Sequence, residues 1–169
     1  MKKVTILLSG IILMTIASLN VNAQATSATD DATATARIIT PITLTNTQGL
    51  AFGNIASSSN TGTVTISPAG ARTHSGGVTP SVIGTFNNAI YNATGENNAT
   101  YTISLPASVS IISGSNNMVV NGFTSDPAAT GLFSGAGTQT INVGATVNVG
   151  ASQPTGNYSA TYNVTIAYN

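Results

Sequence analysis

Residues 141–169, INVGATVNVGASQPTGNYSATYNVTIAYN, alternate between apolar and polar side chains on both sides of one turn. Before the turn, every second residue from 141 to 151 is apolar; after it, every second residue from 158 to 168 is apolar or aromatic. The turn, residues 153–157, is built from Pro, Gly and Asn, which favour chain reversal. Because a period of two places alternate side chains on opposite faces of a β-strand, this stretch predicts two strands, each with one buried face.

The rest of the chain shows the same organisation in shorter pieces. Apolar or alternating runs separated by Gly, Pro and Asn predict strands at residues 49–55, 63–66 and 101–105, and a hairpin with arms at 109–111 and 118–120. A further run over residues 82–91 is broken by Asn87-Asn88. Residues 71–77 have no apolar pattern and are predicted to form a loop. No stretch after residue 23 has a helical period. The sequence therefore predicts an all-β chain, a single antiparallel β-sandwich with immunoglobulin-like topology.

The first 23 residues have the organisation of a secretory signal peptide. Lys2 and Lys3 precede an apolar run, and Val21-Asn22-Ala23 supplies small residues for cleavage after Ala23. We expect export to the periplasm, the outer cell surface or the extracellular space. No later apolar run is long enough to cross a bilayer as a helix. Residues 24–31 are predicted to be a mobile leader, and residues 32–169 a single domain.

Charge and cysteine content exclude several classes of function. After the signal peptide the chain keeps two cations, Arg37 and Arg72, against four acids, Asp30, Asp31, Glu96 and Asp126. Two cations are too few to neutralise the phosphates of a nucleic acid. The chain has no Cys, so disulfides, thiol nucleophiles, lipid attachment to a cysteine and Cys-containing zinc sites are excluded.

The side chains that catalysis requires are nearly absent. His74 is the single histidine, and its loop-like surroundings suggest a surface side chain rather than part of a Ser-His-Asp triad. Glu96 and Asp126 are the two carboxylates that remain for glycoside hydrolysis, and both lie in turn sequences. Calcium binding needs several acids close together, and the sequence contains no such group. We expect no enzyme activity, no cofactor and no metal.

Two further patterns suggest modification or ligand binding. Residues 96–100, Glu-Asn-Asn-Ala-Thr, match an acidic extended N-glycosylation acceptor of bacterial type, although chance accounts for so short a pattern in an Asn-rich segment. Tyr158, Tyr162 and Tyr168 share one face of the last predicted strand. They would form a stacking platform for sugars or, with the aliphatic residues between them, part of the core.

The segment Ala32–Leu44 carries the longest one-faced alternation near the start of the mature chain and predicts a strand over residues 32–45. The residues proposed to contact a partner through it are Ala32, Ala34, Ala36, Ile38, Ile42 and Leu44. Pro41 removes a backbone donor, so the strand must break or lie at a sheet edge there. The segment either pairs within its own chain or is donated to another chain, since an unpaired strand this apolar promotes aggregation.

Eight short motifs, taken in their order along the chain, resemble the bacterial secreted family known as domain of unknown function 4402. They are Leu50-Ala51-Phe52-Gly53, Gly62-Thr63-Val64, Gly70-Ala71-Arg72, Gly76-Gly77-Val78, Ile103-Ser104-Leu105-Pro106, Val143-Gly144-Ala145, Gln153-Pro154-Thr155-Gly156-Asn157-Tyr158 and Val164-Thr165-Ile166-Ala167-Tyr168-Asn169. That family in turn resembles the spore coat protein U group, the pilin subunits of archaic chaperone–usher pili. This chain differs from those pilins in lacking their cysteines.

The resemblance to pilins implies a sandwich that lacks one strand, which the N-terminal segment of the next subunit supplies. It implies residues 32–38 as the donor strand, with the subunit's own first strand beginning at about Ile42. It also implies a periplasmic chaperone, an usher and neighbouring pilus subunits as partners. We therefore expect a secreted, non-catalytic fimbrial subunit. The alternative is a soluble cell-surface module that binds carbohydrate or mediates adhesion.

Overall fold

The computed structural model describes residues 27–169, so the predicted signal peptide lies outside the described residues. In this range the chain forms twelve β-strands and no helix. The strands are β1 (Thr43–Gln48), β2 (Ala51–Phe52), β3 (Ile55–Ile66), β4 (Arg72–Pro80), β5 (Phe86–Asn87), β6 (Ala89–Thr94), β7 (Thr100–Ser104), β8 (Ser108–Ser113), β9 (Asn116–Asp126), β10 (Thr130–Leu132), β11 (Thr138–Val149) and β12 (Thr165–Tyr168).

The strands form three sheets in which every pairing is antiparallel. The largest has seven strands, in the order β1-β6-β11-β3-β4, with β9 paired to β11 and β8 to β9. A second sheet has the order β10-β7-β12, and a third contains β2 and β5. The prediction of an all-β antiparallel chain is confirmed.

Strand β11 organises the large sheet because it has neighbours along both edges. One edge pairs first with β6, over Thr138–Val143, and then with β3, over Ala145–Val149. The opposite edge pairs with β9. Gly144 lies where one neighbour replaces the other, and a Cβ added there would overlap the carbonyl oxygen of Ile66. The absence of a side chain at residue 144 therefore allows β3 to end against β11.

The period of two in β11 produces its buried face as predicted. Ile141, Val143, Ala145, Val147 and Val149 are each at most 4% exposed. The first two belong to a core cluster shared with the three-stranded sheet, whose other buried members are Ala89, Tyr91, Ala93, Tyr101, Ile103 and Phe133. The last three belong to a second cluster within the large sheet, with Val64, Val78 and Val120.

Two strand predictions were wrong, and both errors concern pairing partners. Residues 71–77 are not a loop, because Arg72–Pro80 forms β4 along β3, and the hydroxyls of Thr63 and Ser75 lie 2.9 Å apart across that pair. Residues 158–168 are not one continuous strand. Only Thr165–Tyr168 is a strand, because Thr165 pairs with Ser104, the last residue of β7.

The N-terminal strand also begins later than residue 32. Residues 27–42 have no regular secondary structure, and β1 begins at Thr43, two residues after Pro41. The chain divides at Arg37 into two units, 1–37 and 38–169. The position of β1 agrees with a Pro that interrupts strand pairing.

Candidate functional site: an apolar groove

A groove of about 800 Å³ opens between several strands of residues 38–169 and the coil near the end of the chain. The groove is lined by residues 50–57, Thr85, the β8–β9 hairpin, the end of β11, and the coil of residues 153–162. Its apolar lining includes Phe52, Ile55, Val109, Ile111 and Phe123. Among the described residues that line it, none is Asp, Glu, Lys, Arg or His. Uncharged polar side chains such as Asn54, Gln153 and Asn157 also line it, so the groove suits an uncharged occupant with an apolar face.

The lining side chains reach the groove through the alternation of β8 and β9. Val109 and Ile111 lie on β8 opposite Val120 and Met118 of β9, and all four line the groove. The turn between these strands, at Gly114 and Ser115, has Gly114 at φ +60°, as a two-residue hairpin requires. The predicted hairpin is therefore confirmed, and it forms one wall of the groove.

Gln153 fixes the coil that forms the opposite wall. Its side-chain oxygen accepts a hydrogen bond from the backbone N–H of Gly150, at 3.2 Å. Its amide nitrogen donates to the carbonyl of Asn117, at 3.0 Å, and to the hydroxyl of Tyr158, at 2.9 Å. The Tyr158 hydroxyl in turn donates to the carbonyl of Pro154, at 2.8 Å. One side chain thus joins this wall to the β8–β9 hairpin.

The backbone beyond Tyr158 is outside any strand until Thr165. Ser159 forms an isolated bridge with Ile112, with two reciprocal hydrogen bonds of 3.1 Å. Residues 160–164 belong to no strand of the described chain, although their sequence continues the alternation of β12. A segment that belongs to no strand and lies beside this groove is a place where an added strand can pair.

Tyr162 contributes an unusual polar atom to the groove. Its ring packs on Phe123, with centroids 5.0 Å apart. Its hydroxyl is buried and interacts with the side chain of Tyr91. Burial, and to a lesser extent Tyr91, raise the pKa of Tyr162. The hydroxyl is therefore kept neutral.

The structure separates the six predicted partner-binding residues into two groups. Ala32, Ala34, Ala36 and Ile38 are exposed and lie outside any strand. Ile42 and Leu44 are half-buried and pack against the core cluster shared by the two larger sheets. The second pair therefore packs in this chain's own core, whereas the side chains of Ile38 and Ile39 are exposed.

Thr40 is held to the body of the protein by two hydrogen bonds that the sequence did not predict. Its backbone N–H donates to the Glu96 carboxylate, at 2.9 Å, and its carbonyl accepts from the hydroxyl of Tyr168, at 2.7 Å. The same hydroxyl accepts from the backbone N–H of Glu96, at 2.6 Å. Glu96 therefore positions the start of the folded chain.

Two other candidate catalytic residues, His74 and Asp126, lie far apart in the large sheet. His74 lies opposite Val64 on β4, and Asp126 lies opposite Asn142 at the end of β9. Val64 is itself paired with Val147 of β11. His74 and Asp126 are therefore aligned with two residues of β11, Val147 and Asn142, that are five residues apart, about 17 Å along the strand. Residues 27–169 contain no group of three or more His, Cys, Asp or Glu that could hold a metal ion. Nor does any helix long and apolar enough to cross a membrane occur in that range.

The tyrosines and the glycosylation-like motif have ordinary structural positions. The hydroxyls of Tyr158 and Tyr168 form hydrogen bonds within the protein, and that of Tyr162 is buried. Asn97 and Asn98 are exposed in the turn after β6, and Asn98 has a φ of +58°.

Comparison with known proteins gives one match. No curated protein and no solved structure matches the chain. A family model, described as domain of unknown function (DUF4402), matches residues 42–168, which contain β1 to β12 and the whole groove. The chain therefore belongs to the DUF4402 family.

Proposed function

We propose that this chain is a secreted, non-catalytic structural protein, a pilin-like subunit of a surface fibre assembled by β-strand addition. In this proposal the body is a β-sandwich of immunoglobulin-like topology, and the groove occupies the position of a strand that a second copy supplies. A periplasmic chaperone and an usher would protect and deliver the subunit, because an open apolar groove promotes aggregation if nothing covers it.

The observation that carries the proposal is the apolar groove beside residues 160–164. These residues continue the alternation of β12, yet they lie in no strand of the described chain. A strand placed along them would form backbone hydrogen bonds on one side and bury alternate side chains in the groove on the other. The uncharged lining agrees with an apolar strand as the occupant.

The donor that fits this site is the segment Ala32–Ile38 of a second copy. Its even-numbered residues are Ala at 32, 34 and 36 and Ile at 38, so they form one apolar face of graded size. Full burial of the Ile38 side chain is worth about 1.5–3 kcal/mol, before the entropy of ordering the segment is subtracted. A seven-residue strand spans about 23 Å, which is a common strand length.

Substitution on the two faces of the donor segment tests the proposal. Ala34→Asp places a charge on the apolar face, whereas Thr35→Asp places the same charge on the opposite face. We expect Thr35→Asp protein to form polymers that resist SDS at room temperature, and Ala34→Asp protein to stay monomeric. Removal of residues 24–38 should also abolish polymers. Equal assembly of both Asp variants, or monomeric wild-type protein purified with and without its chaperone, contradicts the proposal.

A further inference from the structure

We propose that the turn carrying Val82 and Ile83 is a docking contact for a second copy of this chain, and that it receives Ile39 of that copy. This inference rests on the proposed function, since it describes how the bodies of two joined subunits meet. It assigns a second surface, outside the groove, to the same assembly step.

Val82 and Ile83 are unusually exposed for large aliphatic residues. Val82 is 96% exposed and Ile83 is 73% exposed, and they are adjacent at the end of one turn. Single exposed aliphatic residues are common on protein surfaces and need no explanation. Two adjacent exposed aliphatic residues on a turn that is fixed by hydrogen bonds are better explained by a contact with another molecule that covers both side chains.

The turn is held from both ends by interactions centred on Arg72. The guanidinium donates to the carbonyl of Ser81, at 2.7 Å, and to that of Phe52, at 3.3 Å, and it lies 4.1 Å from the ring centroid of Phe86. The backbone N–H of Ser81 donates to the carbonyl of Asn54, at 2.8 Å. A turn fixed in this way loses little conformational entropy when a partner covers it, which favours binding.

The same turn adjoins the apolar groove. Thr85, two residues after Ile83, lines the groove. Asn54, whose carbonyl accepts the hydrogen bond from Ser81, and its sequence neighbour Gly53 line it as well. Val82 and Ile83 are therefore at the rim of the groove. A partner whose segment fills the groove brings its own body towards this rim.

The anchoring of Thr40 determines how close that body must come. Ile38 ends the donor segment, and Thr40 is bonded to the body of its own copy through Glu96 and Tyr168. Two Cα–Cα steps separate Ile38 from Thr40, a distance of at most about 8 Å. The incoming body must therefore touch the body that accepts its strand. Ile39 follows the donor segment directly and is 44% exposed in this structure, so its side chain is available for the contact.

Cysteine cross-linking in the full chain tests this contact directly. The chain has no native Cys, so an introduced pair gives no background. We expect the double variant Ile39→Cys with Ile83→Cys to form disulfide-linked ladders under mild oxidation. The matched control is Ile39→Cys with Leu132→Cys, since Leu132 is also exposed, at 56%, but lies on β10. That control should give dimers at most.

A second measurement replaces the exposed side chains of Val82 and Ile83, the apolar tip of the turn, without introducing a cross-link. The double change Val82→Ser with Ile83→Ser should raise the concentration needed for assembly by about tenfold or more, whereas Leu132→Ser should leave it unchanged. This inference is overturned, and strand addition is left intact, if the Val82→Ser, Ile83→Ser protein polymerises normally and the Ile39→Cys, Ile83→Cys protein polymerises without disulfide-linked ladders. If Ala34→Asp is added to the Ile39→Cys, Ile83→Cys protein and its disulfide-linked ladders persist, the tip contact is supported and strand addition is overturned. A chain that never assembles overturns both.

Discussion

The hydroxyl of Tyr168 and the carbonyl of Thr40, separated by 128 residues in sequence, are joined by a 2.7 Å hydrogen bond. The bond ties the last strand to the point where the folded body begins. Tyr168 also packs edge-on against Phe133, with ring centroids 6.2 Å apart. The ends of the folded body are thus held together by a single side chain.

Tyr168→Phe should destabilise the protein by about 1–2 kcal/mol, because it removes the bond to Thr40 and the bond accepted from the N–H of Glu96 while keeping the ring. Urea unfolding measures this change. Tyr101→Phe is the matched control, because the Tyr101 hydroxyl is buried without a hydrogen-bond partner and its loss should be neutral or stabilising. Equal losses in the two variants would contradict this account.

Gly144→Ala should cost about 1–3 kcal/mol, because the new Cβ overlaps the carbonyl oxygen of Ile66 and the backbone atoms that follow it. These are main-chain atoms within the large sheet, so they cannot move aside as the end of a flexible side chain can. Gly49→Ala is the control, since nothing lies within 4 Å of the added Cβ. Thermal unfolding should separate the two variants by several degrees, and a Gly144→Ala protein as stable as Gly49→Ala would rule out the steric role of residue 144.

A local sequence pattern predicts which face of a strand is buried, but it does not predict whether that strand has a neighbour to pair with. Alternation along residues 141–149 specified which face of β11 is buried, and that face is buried. The same kind of alternation over residues 158–164 did not produce a strand, because pairing needs a neighbour and β7 ends at Ser104. Conversely, β4 is a strand without apolar alternation over residues 71–77, since β3 supplies its partner.

The groove was beyond sequence reasoning for a related reason. Its walls come from parts of the chain separated by many residues, such as Asn117 and Gln153, and local periodicity carries no information about which of them face each other. A Gln within a Pro-Gly-Asn turn reads as an ordinary polar loop residue. Its function as the link between two walls depends entirely on the fold.

Gln153→Ala should loosen the coil wall of the groove, since it removes hydrogen bonds to Gly150, Asn117 and Tyr158. We expect a loss of about 1–3 kcal/mol in global stability and faster amide hydrogen exchange in residues 153–164. Gln139→Ala is the control, because the Gln139 amide donates to the carbonyl of its sequence neighbour, Thr140. Unchanged exchange in the coil of the Gln153→Ala protein would mean that other contacts hold this wall.

Stability should fall at alkaline pH, and Tyr162 should contribute to the fall. Burial raises the pKa of Tyr101 and, together with Tyr91, that of Tyr162, from the ordinary value of 10.0. Above about pH 10 the unfolded chain releases these protons while the folded chain retains them, so the unfolded state binds fewer protons and the free energy of unfolding decreases as pH rises. The contribution is fully present below pH 10.

Tyr162→Phe isolates this effect, because it removes the titrating hydroxyl and keeps the ring against Phe123. Its unfolding free energy should decline less steeply between pH 9 and pH 12 than that of the wild type. Tyr158→Phe is the control for whether removal of any tyrosine hydroxyl changes the alkaline slope. The Tyr158 hydroxyl is hydrogen-bonded in the coil wall, so its loss should lower stability at neutral pH instead. If Tyr162→Phe and wild-type protein have the same slope above pH 10, the buried hydroxyl of Tyr162 is not the source of alkaline sensitivity.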